Sequence, residues 1–293
     1  MTLSPKQQSR PHSTPEVPPI PPPIPPIVLT IAGFDPSGGA GILADIKTFA
    51  ANGAYGMACI TALTVQSTQG VLGVTPVAAH VVHETLECLA GDVRFAAIKI
   101  GMLGTGAVAK VVAEFLRSHP EVPVVLDPIL QSSSGTTLLD APGQEILQRE
   151  LLARVAWTTP NLHELAVLTD LPLAQTRDTI EASAQALLAQ SQRLGNPDLR
   201  VVVTGGHAAR PDDLLLSASQ RHWFPGQRIA TKATHGTGCT FSSALAARLA
   251  RGEDDLTAVA GAKAYVTGAL QLAPAIGHGQ GPLHHFWQMQ RLD

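Results

Sequence analysis

The segment 234–247, Thr-His-Gly-Thr-Gly-Cys-Thr-Phe-Ser-Ser-Ala-Leu-Ala-Ala, carries the residue types best suited to chemistry. Its glycines precede an apolar, small-residue helix, and the N–H groups at such a helix start form an anion-holding concavity. We therefore expect an anion hole at Gly236, Thr237 and Gly238. Cys239 lies at the same helix start, where the dipole is expected to lower the pKa of a thiol toward neutrality. The pattern predicts Cys239 as a base or nucleophile beside a bound anion.

Acidic side chains follow two predicted strands further along the chain. Asp127 comes directly after the apolar strand 124–126, and Asn161 and Glu164 follow the strand near Trp157. Acidic groups at the ends of parallel strands are suited to a cation and its polyphosphate. Asn161 with Glu164 also fits a helix capping box, and the two roles can coexist.

A glycine-rich turn, Gly33-Phe-Asp-Pro-Ser-Gly-Gly-Ala-Gly41, links the first predicted strand to the first helix. It lacks the G-x-G-x-x-G spacing, and no G-x-x-x-x-G-K-[ST] occurs in the chain, so neither common nucleotide fingerprint is available. The turn is either a ligand contact or a tight turn. On helical periodicity alone, Asp45 is better interpreted as a solvated carboxylate. Gln66, at the end of the second strand, can present an acceptor and two donors to a heterocycle or can stabilise a turn.

Apolar strands alternate with helical segments along most of the chain, which predicts a mainly parallel sheet with helices on both faces. A short antiparallel element is expected from 213–217 and 221–224. The predicted strands are 27–32, 57–65, 96–101, 122–126, 155–158 and 200–204, and the predicted helices are 41–52, 78–89, 107–116, 143–152, 161–168 and 179–194.

Composition divides the 293-residue chain into two parts. Ten of its 23 prolines lie in residues 1–26, which predicts a disordered or polyproline extension before a single domain over 27–293. A net charge of −3 without basic runs argues against a nucleic-acid partner, and no apolar run reaches the ~20 residues of a membrane span. Three widely spaced cysteines favour a reducing cytoplasm.

In family order, the motifs resemble those of the hydroxymethylpyrimidine/phosphomethylpyrimidine kinases of thiamine biosynthesis, within the ribokinase-like superfamily. The resemblance covers about residues 27–287 and implies a three-layer α/β sandwich. It depends on AGFDPSGGAG at 32–41, ADIKT at 44–48, ITALTVQST at 60–68, KIGML at 99–103, LDP at 126–128, TPNLHE at 159–164, GGH at 205–207, HGTGC at 235–239 and GHGQGPLHH at 277–285.

The resemblance implies transfer of the ATP γ-phosphoryl group to 4-amino-5-hydroxymethyl-2-methylpyrimidine and then to its monophosphate. Cys239 takes the position where sugar kinases of the superfamily have an aspartate base. Gln66 is then the residue that contacts the pyrimidine edge. The pocket around it is lined by Gly33, Asp45, Thr64, Met102 and Ile129.

On the nucleotide side, the resemblance implies that Asp127, Asn161 and Glu164 organise Mg²⁺ and the phosphates, with both carboxylates acting on the metal through water. Thr204 and Gly206 are assigned to the nucleotide. The expected cofactor and co-substrate are Mg²⁺ and ATP, and the expected assembly is a homodimer.

Two residues within the motifs depart from the family pattern. Phe34 replaces a small Thr or Ser in the first loop and is expected to narrow the pocket mouth. Thr204 stands where many members have Lys, so one positive charge near the ATP phosphates is missing. Two alternatives stay open: a vitamin B6 kinase, since pyridoxal also carries a ring hydroxymethyl, and a nucleotide-responsive regulatory protein without turnover.

Overall fold

The computed structural model describes residues 23–132, 135–206 and 210–289. The predicted proline-rich extension therefore lies outside the described residues except for 23–26, as does His207 of the GGH motif. The remaining predicted elements all fall within these ranges.

In these ranges, nine strands form one sheet in the order β3-β2-β1-β4-β5-β6-β7-β8-β9. They are β1 Ile27–Phe34, β2 Tyr55–Ser67, β3 Gly70–Pro76, β4 Ala97–Ile100, β5 Val124–Leu126, β6 Trp157–Thr158, β7 Arg200–Val203, β8 Asp213–Leu216 and β9 Arg221–Phe224.

The six strands from β2 to β7 in this order are parallel to their neighbours, which confirms the mainly parallel sheet. The predicted antiparallel pair is β8 with β9, and β8 is also antiparallel to β7. A second antiparallel pair, β2 with β3, was not predicted. Its connecting turn is too short for a helical crossover, so the chain can only reverse there.

Eight α-helices of the described chain cover the two faces of this sheet, which confirms the three-layer α/β class. They are α1 Gly41–Ala51, α2 Ala79–Asp92, α3 Gly106–Ser118, α4 Ala141–Ile146, α5 Leu162–Thr169, α6 Arg177–Arg193, α7 Thr237–Ala250 and α8 Asp255–Gln271. None of the described helices has the length and apolar content needed to cross a bilayer.

The strands alternate their side chains between two separate cores. In β1, Leu29 and Ile31 pack with α2, α3, α5 and α6, whereas Val28 packs with α1, α7 and α8. Both sets are fully buried, as expected for a parallel strand covered on both faces. Because α7 packs in the second core, its amino end is held at the carboxyl edge of the sheet.

Two helical segments differ from the sequence-based prediction. The predicted helix 143–152 is α4 followed by a π-helical turn, Leu147–Leu151, and it begins earlier because the Asp140 carboxylate accepts the N–H of Gly143 at 2.8 Å. The helix α8 was missed, since small and apolar residues around most of its surface obscure the helical period.

Removal of residues 1–22 is expected to leave kcat and Tm unchanged, because the first strand begins at Ile27. Removal of residues 1–26 is also expected to preserve kcat, but it deletes the Pro26 carbonyl that accepts the Tyr55 N–H at 2.9 Å. Loss of one such bond, worth about 1 kcal/mol, corresponds to a fall in Tm of about 2–4 °C. Thermal melts and steady-state assays of the two truncations check this, and loss of turnover in either would place the domain boundary earlier.

Candidate active site

A cavity of about 650 Å³ opens at the carboxyl edge of the parallel strands. This is where ligands collect in open parallel sheets. The cavity brings together all but one of the residues singled out from the sequence, contributed by strand ends, the β2 hairpin and the start of α7. Those that line it are Gly33, Thr64, Gln66, Met102, Asp127, Ile129, Asn161, Glu164, Thr204, Gly206, Gly236, Thr237, Gly238 and Cys239.

The start of α7 has the geometry of an anion site. Gly236 precedes the helix with φ 81° and ψ 15°, in the left-handed region, and no side chain caps the helix there. The first-turn N–H groups therefore lack a side-chain acceptor and face the cavity lined by Gly236, Thr237 and Gly238. The Thr237 N–H already donates to the Thr234 carbonyl at 3.3 Å, and an anionic group in the cavity would satisfy the others.

The Cys239 thiol lies in this first turn but is almost fully buried, at 7% exposure. Burial raises its pKa to about 12, and the charges of Asp127 and Asp45 act in the same direction, while Lys99 opposes them. The expected lowering of the pKa toward neutrality is therefore wrong for this structure. Desolvation and nearby carboxylates outweigh the helix end, so the thiol is protonated at neutral pH.

Two carboxyl groups line the cavity wall, those of the buried Asp127 and the half-buried Glu164. Burial raises the pKa of Asp127 to about 6 and that of Glu164 to about 8, and the Asp127 charge adds to the shift of Glu164. Ser242 donates its hydroxyl to Asp127 at 3.1 Å. Two desolvated carboxyl groups with raised pKa values form a donor set suited to a divalent cation, whose charge would return both to the ionised form.

Glu164 also has the capping role that its spacing indicated. Its carboxylate accepts the Asn161 N–H at 2.8 Å, and the Asn161 side chain accepts the N–H of Glu164 at 3.0 Å. This capping box fixes both side chains at the start of α5. In the described ranges, no three His, Cys, Asp or Glu side chains converge on one metal position. A cation here would therefore need phosphate and water oxygens to complete its shell.

Glu164→Gln is expected to stabilise the protein without ligand at alkaline pH. Because the folded-state pKa of Glu164, about 8, exceeds the ordinary value of 4.5, the folded state keeps a proton that the unfolded chain releases. Wild-type stability thus falls as pH rises from about 4.5 to 8. The glutamine amide of the variant does not titrate and retains an acceptor for the cap. The Tm difference between variant and wild type is expected to be near zero at pH 5 and about 2–4 °C at pH 8, equivalent to ~1 kcal/mol.

The matched control is Glu145→Gln, since the Glu145 side chain is 62% exposed and forms an i,i+4 pair with Arg149. It should leave the pH dependence of Tm unchanged. A Glu164→Gln difference that is the same at pH 5 and pH 8 would contradict the raised pKa.

Asp45 is the one predicted site residue that does not line the cavity. Its side chain is fully buried and accepts hydrogen bonds from Thr30 at 2.6 Å and Ser243 at 2.7 Å. The ammonium of Lys99 lies 2.9 Å from the same carboxylate. The expectation that Asp45 contacts the substrate is therefore wrong for this structure, and the solvated-carboxylate interpretation fails as well. A carboxylate whose oxygens are engaged by three donors inside the protein is not available to a ligand.

Sequence reasoning missed Lys99, which does line the cavity. It falls in the KIGML segment that carried the family resemblance, but a lysine within an apolar strand was not considered as a site residue. Its position in β4, directly before the strand end, is the signal that could have identified it, because the cavity lies at that edge.

Asp35 and His235 were also not predicted as site residues. They lie beside Gln66 in the cavity wall. The Asp35 carboxylate accepts the N–H groups of Ser37 and Ala40, and His235 Nε2 lies 2.8 Å from it. Burial raises the pKa of Asp35, but the bonds from His235, Ser37 and Ala40 outweigh it and hold that pKa below its usual range. The Gln66 amide nitrogen lies 3.0 Å from the same histidine nitrogen. Because this nitrogen donates its proton to Asp35, it cannot also accept from the amide, and its approach to Gln66 is a close contact and not a second hydrogen bond.

The two residues that depart from the family pattern, Phe34 and Thr204, both line the cavity. Thr204 pairs with Asn161 across a parallel bridge, and its neutral side chain brings no charge to the wall. Among the described lining residues, the lysine and arginine are Lys99 and Arg228. Phe34 lines the cavity, and its carbonyl accepts the Thr64 hydroxyl at 3.0 Å.

Comparison with known proteins assigns the chain to a family. The family model described as phosphomethylpyrimidine kinase matches residues 35–284. The chain belongs to the phosphomethylpyrimidine kinase family. It is therefore a phosphotransferase with ATP as co-substrate. Membership of a kinase family argues against the alternative of a regulatory protein without turnover.

Curated relatives of this kinase carry the same description. The hydroxymethylpyrimidine/phosphomethylpyrimidine kinase of Salmonella typhimurium is 44% identical over 262 residues, which cover 88% of this chain and 96% of the relative. The protein of that description from Escherichia coli is 42% identical over the same shares of the two chains. The resemblance stated from the motifs is thus confirmed.

Solved structures of similar proteins confirm the ribokinase-like fold. The Staphylococcus aureus pyridoxal kinase in complex with ADP has a TM-score of 0.82 at 29% identity, over 92% of this chain and 97% of that one. A phosphomethylpyrimidine kinase from Clostridium difficile has a TM-score of 0.72 at 33% identity, over 83% and 98%. The fold is therefore shared by proteins described as pyridoxal kinase and as phosphomethylpyrimidine kinase.

Proposed function

We propose that this kinase phosphorylates 4-amino-5-hydroxymethyl-2-methylpyrimidine with ATP, and then its monophosphate to the diphosphate, in thiamine biosynthesis. One observation carries the proposal: an amide suited to a ring edge, Gln66, lines the same cavity as Cys239 and the Asp127 and Glu164 carboxyl groups. Relatives of 37–44% identity that are described as hydroxymethylpyrimidine/phosphomethylpyrimidine kinases support it.

The pyrimidine occupies the end of the cavity near Gln66. This amide offers hydrogen bonds to the ring nitrogen and the amino group, and its contact with His235 restricts its rotation. Gly33, Met102 and Ile129 surround the apolar faces of the ring. The Cβ of a side chain at Gly33 would lie 2.9 Å from the Met102 sulfur, so glycine allows the Met102 side chain to approach this part of the cavity wall.

The reacting end lies at the start of α7. Phosphoryl transfer depends chiefly on alignment and on stabilising charge at the moving phosphoryl group. The N–H groups of Gly236, Thr237 and Gly238 donate to its oxygens. The substrate hydroxyl oxygen attacks phosphorus as the bond to the ADP oxygen breaks, and the thiolate form of Cys239 accepts the hydroxyl proton.

Asp127 and Glu164 hold Mg²⁺ through water, with Asn161 beside them, and Thr204 and Gly206 contact the nucleotide. When bound, Mg²⁺ neutralises phosphate charge and aligns the β- and γ-phosphates. The Cys239 thiol is protonated in the protein alone, chiefly because burial raises its pKa. Its proton must therefore pass to solvent before Cys239 can accept one from the substrate hydroxyl.

The test is mass spectrometry of products formed from ATP, Mg²⁺ and the hydroxymethylpyrimidine. Products heavier by one and then two phosphoryl groups, with matching ADP release, are expected. The Gln66→Ala variant should raise the KM for the pyrimidine by about 10–100-fold with the KM for ATP little changed, since a ring-reading amide is lost. ADP release without a phosphorylated pyrimidine would overturn the substrate assignment.

A vitamin B6 kinase is the second candidate, favoured by the likeness to the Staphylococcus aureus pyridoxal kinase structures. Pyridoxal offers a similar ring with a hydroxymethyl group. Comparison of kcat/KM for the two alcohols separates the candidates, and a preference for pyridoxal would replace the first proposal with this one.

We further infer that the kinase is a cytoplasmic homodimer formed through the β2–β3 hairpin. Leu63 and Val65, two residues apart on one face of β2, are 49% and 63% exposed, as is usual for apolar side chains at an interface. The three described cysteines are free thiols, as in a reducing compartment.

Light scattering is expected to give twice the chain mass of 30.6 kDa. Val65→Asp is expected to give the monomer mass, because a charge would be buried in the interface. Leu256→Asp, at a 40% exposed position of α8, is the matched control and should remain a dimer. A monomer in the wild type would overturn the assignment.

A further inference from the structure

A fully buried ion pair, Lys99 with Asp45, lies at the base of the cavity. The ammonium is 2.9 and 3.1 Å from the two carboxylate oxygens, and both side chains have 0% exposure. Thr30 and Ser243 donate to the same carboxylate. Four elements meet at this point, since the residues belong to β4, α1, β1 and α7 respectively.

Stability alone is a weak reason for such a pair. Removing two charges from water costs several kcal/mol for each ion, and a well-packed apolar pair of similar volume is often as stable. The complete set of partners around Asp45 holds the pair in one arrangement. This network therefore fixes the position of the Lys99 ammonium.

The position of Lys99 relates it to the reacting end. It lines the cavity together with Asp127 and Cys239, and both of those groups interact with its charge. Gly101 leaves space for it, because a Cβ there would lie 2.7 Å from the ammonium nitrogen. Although burial alone would lower the pKa of Lys99, coulombic attraction by Asp45, Cys239 and Asp127 outweighs it and raises that pKa, so the ammonium stays charged.

We propose that Lys99 is a positioning residue for phosphoryl transfer: its charge, held in place by Asp45, stabilises the negative charge that develops beside Cys239. This inference rests on the proposed function. Lys99 gives and takes no proton in the reaction. It favours charge on the attacking oxygen and on the thiol sulfur, and a preorganised charge of this kind acts mainly on kcat.

The alternative is that the pair is only a structural link between α1, β4 and α7. Two variants separate these roles, because both break the ion pair but only one removes the positive charge. Asp45→Asn keeps the lysine and the shape of the acceptor, and the Asp127 charge still favours the ammonium form. The double variant Asp45→Asn/Lys99→Met removes the charge without leaving a lone buried carboxylate.

We expect Asp45→Asn to retain kcat within about tenfold of wild type. The double variant is expected to lose at least a further ~100-fold in kcat, with both KM values within about threefold of Asp45→Asn. Its Tm is expected to equal or exceed that of Asp45→Asn, because it has no unpaired buried ammonium. The double variant Asp45→Asn/Lys99→Gln also lacks the charge but keeps a polar side chain at position 99. It should show the same loss of kcat, and it replaces the methionine variant in the comparison if that variant does not fold.

Lys110→Met/Glu150→Gln is the matched control, because this pair is partly exposed on α3 and the π-helical turn, away from the cavity. It should retain full kcat. Equal kcat in Asp45→Asn and in the foldable double variant would overturn the proposal and leave the structural role. The comparison uses whichever alcohol the wild type phosphorylates, so a wrong substrate assignment is distinguishable from a wrong role for Lys99.

Discussion

Cys239→Ala is expected to lower kcat by about 10²–10³-fold while the KM for ATP stays within about threefold of wild type. The thiol lines the cavity at the start of α7, beside the N–H groups assigned to the moving phosphoryl group. Its removal deletes the proton acceptor but leaves the backbone that binds phosphate. Steady-state kinetics with both substrates varied measures the two effects separately.

The matched control is Cys59→Ala, which removes the same atom from a buried thiol of β2 that does not line the cavity. It should cost stability but preserve kcat. Alkylation gives an independent check of the protonated state: at pH 8, iodoacetamide should label the exposed Cys88 well before Cys239, whose pKa burial raises to about 12. Near wild-type kcat in Cys239→Ala would remove the residue from its proposed role.

Gly236→Ala is expected to abolish most activity and to lower Tm by about 6–12 °C. The residue has φ 81°, where an alanine costs about 1–2 kcal/mol, and its Cβ would overlap the carbonyl oxygen of Gly39. Together, the backbone strain and the steric overlap lower the free energy of unfolding by about 3 kcal/mol. Relief of the overlap must shift the first turn of α7 away from the glycine-rich loop, which displaces the anion-binding N–H groups. A kcat loss of about 10²–10³-fold is expected below the melting temperature.

Gly252→Ala is the control for the cost of placing an alanine at positive φ without a steric overlap. Gly252 has the same φ of 81°, follows the same helix, and would place its Cβ in open space. It should lower Tm by about 2–4 °C, corresponding to ~1 kcal/mol, with no change in kcat. Similar behaviour of the two variants would show that the contact between Gly236 and Gly39 has no specific part in the site.

Much of the fold could be predicted because its signals are local. The alternation of buried strands with helices, the capping box at Asn161 and Glu164, and the glycine before α7 are each encoded within a few residues. The β2–β3 hairpin and α8 were not predicted. In both cases the segment has no clear local period, and its conformation depends on the sheet or core against which it packs.

The lining of the cavity was predictable for a related reason: parallel strands bring their ends to one edge, so residues after the strands meet there. The sequence by itself thus determined the class of fold and the meeting of Gly236, Asp127 and Glu164 at one cavity, where the anion site is proposed. Their family motifs also indicated the reaction.

Only the tertiary structure decided the charge states and the partners. Asp45 meets Ser243 from 198 positions away, and His235 meets Asp35 from 200. Asp45, which was expected to contact the substrate, is therefore the ion-pair partner of Lys99. Burial likewise reverses the expected pKa shift of Cys239. A pKa is set by desolvation and by charges within a few ångströms, and in this fold those charges come from remote parts of the chain.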